Sequence, residues 1–359
     1  MALLRELRPG DGVRVRRCKI AVIPGDGIGP EVIDAALGPI ERAAAKHGVT
    51  LELERLPYGA DHYLKTKQTL PDGAFERLRD DADAILLGAI GDPRVPGNEH
   101  ARDILLGLRF RLDLYVNFRP VTLFHPDLTP LRGSGRRIDF VIFRENTEGV
   151  YLGRGRIAGD EYVAEEINTA KGVERIIRAA FEWAQDHGKT SVTMSDKANA
   201  VPAHKIWQET FRHVAAEFAG IDAEHRYVDA LAMELVRDPE RFQVIVTNNL
   251  YGDILSDLGA ALVGGLGLAA SANIHPGRGG AGLFEPVHGS APPLAGKGIA
   301  NPMAAVLAGG LMLEQLGAPE AARDLERAVV ETLAAGVRTP DIGGTATTGD
   351  VAQAIVRAL

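Results

Sequence analysis

Asn249-Leu250-Tyr251-Gly252-Asp253-Ile254-Leu255-Ser256-Asp257-Leu258 sets two acidic residues into a largely apolar run just beyond a strand-like segment. It follows Phe242-Gln243-Val244-Ile245-Val246-Thr247, a β-branched run that predicts a strand, and leads into an Ala/Leu-rich segment that predicts a helix. A helix starting near Tyr251 sets Asp253 and Asp257 four residues apart on one face. Carboxylates at that spacing repel each other and tolerate the proximity best with a cation between them. Oxygen-only donors suit Mg²⁺ or Mn²⁺ rather than zinc. The same spacing also fits a solvated acidic face, and both readings stand at this point.

Working outward, Ile20-Ala21-Val22-Ile23 predicts a strand that runs into Pro24-Gly25-Asp26-Gly27-Ile28-Gly29-Pro30-Glu31. This is not the dinucleotide fingerprint G-x-G-x-x-G, because Pro30 occupies the place of its third glycine. Pro30 instead suits the first turn of a helix, with Glu31 at its positive end. Further strands are predicted at 50–56, 84–90, 115–122, 139–144 and 190–194, and helices at 31–47, 101–109, 171–187, from Pro302 and from about Pro319. Strands alternating with helices imply a largely parallel α/β sheet. Residues 152–170 read as either an exposed hairpin arm for a partner subunit or a long surface loop.

Arg109, Arg119 and Arg144 lie far apart in the chain, each beside an apolar segment. They are either structural ion-pair partners or, converging on one cleft, a bidentate grip on carboxylates. Lys197 follows a strand end among small residues, a setting for partial burial and a lowered pKa, and Asp229 offers a third carboxylate at another strand end. The glycine-dense region 259–301 can wrap a large ligand with its backbone.

The chain has 359 residues, enough for two domains, and a net charge of −8. That charge argues against a nucleic-acid surface. A single cysteine, Cys18, excludes an intrachain disulfide. No apolar run approaches the roughly 18 residues of a membrane helix, so no membrane association is expected and the expected setting is cytoplasmic. Met1–Lys19 reads as a loosely held tail.

Five stretches together resemble the decarboxylating dehydrogenases of β-hydroxy acids, the isopropylmalate/isocitrate dehydrogenase family. They are Gly25–Glu31, Arg144–Gly149, Asp196–Asn199, Asn249–Asp257 and Glu285–Pro292. The resemblance runs from Ile20 to the C-terminus. It implies an α/β two-domain fold of the isopropylmalate dehydrogenase type, without Rossmann topology. The first domain would be discontinuous, 1–114 plus 267–359, and would bind the dinucleotide. The second, 115–266, would carry the substrate and dimer contacts.

The resemblance further implies a homodimer with shared active sites. Asp253, Asp257 and the neighbour's Asp229 would hold Mg²⁺ or Mn²⁺. Arg109, Arg119 and Arg144 would hold the carboxylates of a malate-type substrate. The neighbour's Lys197 would act as base, and Tyr151 would assist proton donation. Ile28, Glu285, His288, Gly289, Ser290, Ala291, Asn301 and Asp341 would hold the dinucleotide.

Among relatives, isocitrate enzymes carry Ser and Asn six and four residues before the first arginine; here Asp103 and Leu105 stand there. Leu105 and Leu106 are similar to the leucines that line an isopropyl pocket, which implies NAD-dependent oxidative decarboxylation of 3-isopropylmalate in leucine biosynthesis. Tartrate, malate, isocitrate or homoisocitrate and specialised analogues are the alternative substrates, and a non-catalytic regulatory subunit is the alternative class. Three departures stand out. Pro293 replaces the Asp that bonds the adenosine ribose in many NAD enzymes, and Pro293-Leu294 replaces the Lys-Tyr of NADP-linked isocitrate enzymes. Arg102 stands where some members have Glu.

Overall fold

The computed structural model describes residues 16–133, 135–278 and 280–359. Most of the segment read as a loose tail, residues 1–15, lies outside these. Its last four residues do not behave as a tail: Arg16–Lys19 open the first strand.

Twelve strands are described: β1 Arg16–Ile23, β2 Val49–Arg55, β3 Ala84–Leu87, β4 Val116–Thr122, β5 Asp139–Glu145, β6 Gly155–Ala158, β7 Glu161–Ala164, β8 Ser191–Asp196, β9 Asp222–Tyr227, β10 Val244–Thr247, β11 Ala270–Ile274 and β12 Gly282–Pro286. Ten of them form one sheet in the order β2-β1-β3-β12-β11-β4-β5-β10-β8-β9, and β6 pairs with β7 in a separate hairpin. The outer pairs are parallel, as the strand–helix alternation implies. The centre is not: β12–β11, β11–β4 and β4–β5 are all antiparallel. Six of the nine pairings are parallel, so the sheet is largely parallel as expected, and the antiparallel centre is the departure. Its pairings are set by long-range return of the chain, which local periodicity does not register. Third in from one edge, β3 stops at Leu87, short of the predicted Ile90; the next residue, Gly88, lies so close to the Pro24 carbonyl that no side chain would fit there.

Alternation along the strands sends neighbours to opposite faces. On one face, Cys18, Ile20, Val22, Ala84, Leu86, Val116, Val141, Phe143, Val244, Val246, Ala272 and Phe284 join a single continuous core under the helices Gly29–Lys46, Ala170–Asp186, Met303–Gln315 and Pro319–Ala334. On the other face the apolar contacts split. Ile23, Ile85, Leu87 and Leu283 join one cluster with Ile104 and Leu108, while Val121, Phe140, Ile142 and Ile245 join another with Leu231 and Leu255. Between the two clusters the strands turn polar side chains outward, and the candidate site lies there.

Candidate active site between the two apolar clusters

Asn117 and Arg119 of β4, Arg144 of β5, Ser271 and Asn273 of β11 and Glu285 of β12 have the parity of that split face, and all are buried. Burying so many polar groups is tolerable only when they bond one another. They do. Arg109 Nη2 donates to Glu285 Oε1 at 2.6 Å, and Arg144 Nε donates to Asn249 Oδ1 at 2.9 Å.

Arg109 reaches the stripe from a helical segment that departs from the simple helix expected for 101–109. A wide π turn, Arg102–Leu106, sits between Glu99–Ala101 and Gly107–Arg111. Leu105 packs partly on the neighbouring apolar cluster; Leu106 does not belong to it.

The opposite wall is the helix Asn249–Leu262, the element that the opening stretch predicts. Asn248 caps it, its Oδ1 accepting from Tyr251 N at 2.9 Å. Gly252 and Gly259 let it lie close on the sheet: a Cβ at Gly252 would come within 2.5 Å of the Arg144 side chain, and one at Gly259 within 2.9 Å of Val121. Asp253 is thereby delivered onto the arginines. It pairs with Arg144, lies 3.3 Å from Arg119, and accepts from the Tyr151 hydroxyl at 2.7 Å. Asp257, one turn on, lies 3.6 Å from Arg119, whose Nη1 also donates to Ser256 Oγ at 2.6 Å.

These contacts divide the two aspartates. Burial pushes the Asp253 carboxyl up, but Arg144, Arg119 and the Tyr151 hydrogen bond outweigh it and hold the carboxyl below its ordinary range. Burial also pushes Asp257 up, and there it wins, helped by the charge on Asp253 and opposed by the arginines. The Tyr151 hydroxyl is raised by burial and by its bond to Asp253, so it stays a proton donor at neutral pH. Arg144 is pushed down by burial and by Arg119 and remains a cation.

Lys197 and Asp229 form a second group. Lys197 lies just past the end of β8 and is mostly buried, as the sequence suggests; its Nζ donates to Asp229 Oδ1 at 2.6 Å. Asp229 is not at a strand end as expected but in the first turn of the helix Val228–Arg237, immediately after β9. Among the described residues of one chain, no three acid, histidine or cysteine side chains come together as a metal cage.

The residues expected to hold a dinucleotide fall into two neighbouring sets. Ile28 N donates to Ser290 O at 2.8 Å, so the Gly25–Gly29 turn and the Gly289–Ala291 loop lie against each other. Asn301 Nδ2 donates to Asp341 Oδ2 at 3.2 Å. Burial lowers the pKa of His288, whose Nε2 is buried with no hydrogen-bond partner, beside the open space at Gly289. Glu285 belongs to neither set; it faces Arg109.

Sequence reasoning passed over Asp26. Its carboxylate accepts from Ala60 N at 2.6 Å, Gly91 N at 2.8 Å and His100 Nε2 at 2.8 Å, stapling the glycine turn to the start of the helix Ala60–Thr66, to the loop at Gly91 and to the helical turn Glu99–Ala101. An acid between two glycines was the available signal.

The sequence profile of the isocitrate/isopropylmalate dehydrogenase family matches residues 19–355. The chain belongs to that family. It is a decarboxylating dehydrogenase: the 3-isopropylmalate dehydrogenase of Thermobifida fusca is 46% identical over 323 residues, 88% of this chain and 91% of that protein. That of Clavibacter michiganensis is 45% identical over 96% of this chain and 98% of its own length. Among solved structures, isocitrate dehydrogenase of Methylococcus capsulatus superposes with a TM-score of 0.86 at 40% identity, covering 95% of this chain and 99% of that one. A β-decarboxylating dehydrogenase of Thermococcus kodakarensis superposes with a TM-score of 0.77 at 38% identity, covering 95% and 96%.

Members of this family imply a nucleotide and a divalent metal, and the residues here fit both. Asp253 and Asp257 supply hard oxygen donors one turn apart on a capped helix, and Asp257, raised chiefly by burial and also by the charge on Asp253, would be eased by a cation beside it. The orphaned His288 Nε2 and the open loop at Gly289 fit a large polar ligand. No described helix of this dehydrogenase is long and apolar enough to cross a membrane.

Proposed function

We propose that the chain catalyses NAD-dependent, Mg²⁺- or Mn²⁺-dependent oxidative decarboxylation of 3-isopropylmalate, a step of leucine biosynthesis. One observation carries the substrate choice. Leu106 stands one turn before the buried Arg109 and is not absorbed into the apolar cluster that holds Leu105, so it is free to meet an alkyl group. Burying such a group against leucine is worth roughly 1.5–3 kcal/mol.

In this reading Arg109, Arg119 and Arg144 hold the two carboxylates of the malate core. Asp253 and Asp257 of one chain, with Asp229 of a second, hold the metal. When bound, the metal supplies a Lewis acid for the hydroxyl and for the enolate left by CO₂, and NAD supplies the hydride acceptor. Lys197 of the second chain takes the hydroxyl proton, and Tyr151 returns one to carbon after decarboxylation. The Ile28–Ser290 and His288–Asn301–Asp341 sets, with Gly289 and Ala291, bind the dinucleotide. Residues Pro293 and Leu294, in the turn Pro292–Leu294, offer no cation for a 2′-phosphate, which favours NAD over NADP.

Two features support a dimer built on residues 115–266. Lys197 and Asp229 pair with each other and not with Asp253 or Asp257. Among the described residues, six of the eight large exposed apolar side chains, Ile157, Tyr162, Tyr227, Met233, Val236 and Ile254, fall in that segment, and the other two, Leu53 and Leu294, are the least exposed but for Tyr227. The strand order supports the proposed division as well. The first five strands across the sheet come from 1–114 and 267–359, and the other five from 115–266.

A second reading keeps the chemistry and changes the side group. Arg102 lies two turns before Arg109, and a side chain on Gly153 would strike its guanidinium, so it sits close to the Tyr151 turn. A malate bearing a distant carboxylate would find a cation there. Steady-state kinetics on 3-isopropylmalate, isocitrate, homoisocitrate, tartrate and malate, each with NAD and NADP, decides. Faster turnover of any other acid rejects the isopropyl reading, and a tenfold preference for NADP rejects the cofactor.

A further inference from the structure

At the seam where β11 meets β4, three asparagines are almost wholly buried: Asn117, Asn146 and Asn273. Asn273 sits at their centre. Its Oδ1 accepts from Asn117 Nδ2 at 2.8 Å and from Asn146 Nδ2 at 2.9 Å. Its Nδ2 donates to Leu283 O at 3.0 Å and to Glu285 Oε1 at 3.0 Å. Glu285 Oε1 in turn accepts from Arg109 Nη2 at 2.6 Å. Every hydrogen-bonding capacity of the Asn273 amide is used.

The direction of this chain is fixed from both ends by backbone carbonyls, which only accept. Asn146 Nδ2 also donates to Leu114 O at 3.0 Å, and Asn273 Nδ2 is held by Leu283 O. Turning the Asn273 amide over would set donor against donor at Asn146 and acceptor against acceptor at Leu283 and Glu285. The Glu285 carboxylate therefore has one favourable place, and so does the arginine it holds. With Nη2 committed to Glu285, Arg109 keeps a buried Nε that no protein group meets.

We infer that Asn273 is a positioning residue for Arg109. Acting through Glu285, it aims the remaining edge of the guanidinium at a substrate carboxylate. Because Asn117 and Asn146 come from the strand of Arg119 and the end of the strand of Arg144, Asn273 also registers the first arginine against the other two across the seam. This rests on the substrate-binding role proposed for Arg109 above. It adds a residue that touches neither substrate nor dinucleotide.

The test compares Asn273→Ala and Asn273→Ser with wild type in steady-state kinetics, using whichever malate derivative the wild type oxidises best. The serine hydroxyl stops one bond short of Glu285 and of the asparagines alike, but it keeps a polar group in the pocket and leaves room for a water to serve the asparagines, so this variant keeps the fold in view if the alanine variant unfolds. Both variants are expected to raise the KM for the malate substrate at least tenfold while the KM for the dinucleotide stays within twofold, and the serine variant to keep its melting temperature near wild type. An unchanged substrate KM in the folded serine variant overturns the inference, as does an equal rise in both KM values. Failure of the isopropylmalate reading shows in the wild-type control alone and leaves this outcome readable.

Discussion

Phe143 and Arg144 are consecutive residues of β5, and they live in different chemistries. Phe143 points into the continuous core, against Phe118 and Trp183. Arg144 points to the opposite face, where the apolar contacts break into two clusters and buried polar groups fill the interval. One face of the sheet carries the continuous core and the other the candidate site, and a single-residue shift in register would exchange them.

The sharpest way to break that contrast is to mutate both neighbours. Phe143→Ala should cost about 3–5 kcal/mol of stability, read from denaturant unfolding, while the folded fraction keeps its kcat/KM. Arg144→Met should lose about 10³-fold or more in kcat/KM at modest cost in stability, since in the proposed reading it removes a bidentate carboxylate grip and a buried charge together. Equal catalytic loss in both variants would dissolve the division between faces.

Next in size is the test of the proposed site shared between two chains. Lys197→Met and Asp253→Asn should each lower kcat by roughly 10²–10⁴-fold. Neither lies in the continuous core, so both variants should fold. Mixed one to one and allowed to exchange subunits, they should regain about a quarter of wild-type activity, because half the dimers are hybrids and each hybrid has one intact site. No recovery after verified exchange would mean that each chain builds its own site.

A tenfold effect should separate the two leucines of the Arg109 helix. Leu106→Ala should lower kcat/KM for a branched-alkyl malate by about tenfold and leave the melting temperature unchanged. Leu105→Ala should do the reverse, because Leu105 packs on the Ile23–Leu87 cluster. Equal catalytic losses would place both side chains in the substrate pocket.

Much of this division was legible in the residues. The alternating strands, the capped helix of Asn249–Leu262 and the convergence of Arg119, Arg144, Tyr151 and Asp253 follow from local patterns and from motif order. The antiparallel centre was not legible, since it depends on where β11 and β12 return between β3 and β4, and no local period encodes a return. Nor was the asparagine relay. A lone Asn in a strand reads as a turn-former, and only the pairing of Asn117 with Asn273 in register shows otherwise. The role of Asp26 was hidden for the same reason: its partners Ala60, Gly91 and His100 are distant in sequence.

The smallest effect tests the aspartates themselves, with metal removed by chelator. Asp257 has its carboxyl raised by burial and by the charge on Asp253. A carboxyl raised on folding prefers its proton in the folded state, so its contribution is most favourable below the ordinary carboxylate range and is lost as pH rises through the folded value. At neutral pH the ionised group is therefore a burden on the metal-free protein. Asp257→Asn should stabilise the metal-free protein there slightly, by about a few tenths of a kcal/mol, seen as a small rise in melting temperature, because the side chain is 53% exposed and solvent screens most of the shift. The gain should fade in acid below the ordinary carboxylate range. Asp229 is shifted the other way by its hydrogen bond from Lys197, so Asp229→Asn should give no such gain at neutral pH. Melting curves of both variants against pH separate the carboxylate that lacks a full counter-charge from the one that has it. A neutral-pH gain of the same size in both would erase that distinction and with it the argument that Asp257 is waiting for a cation.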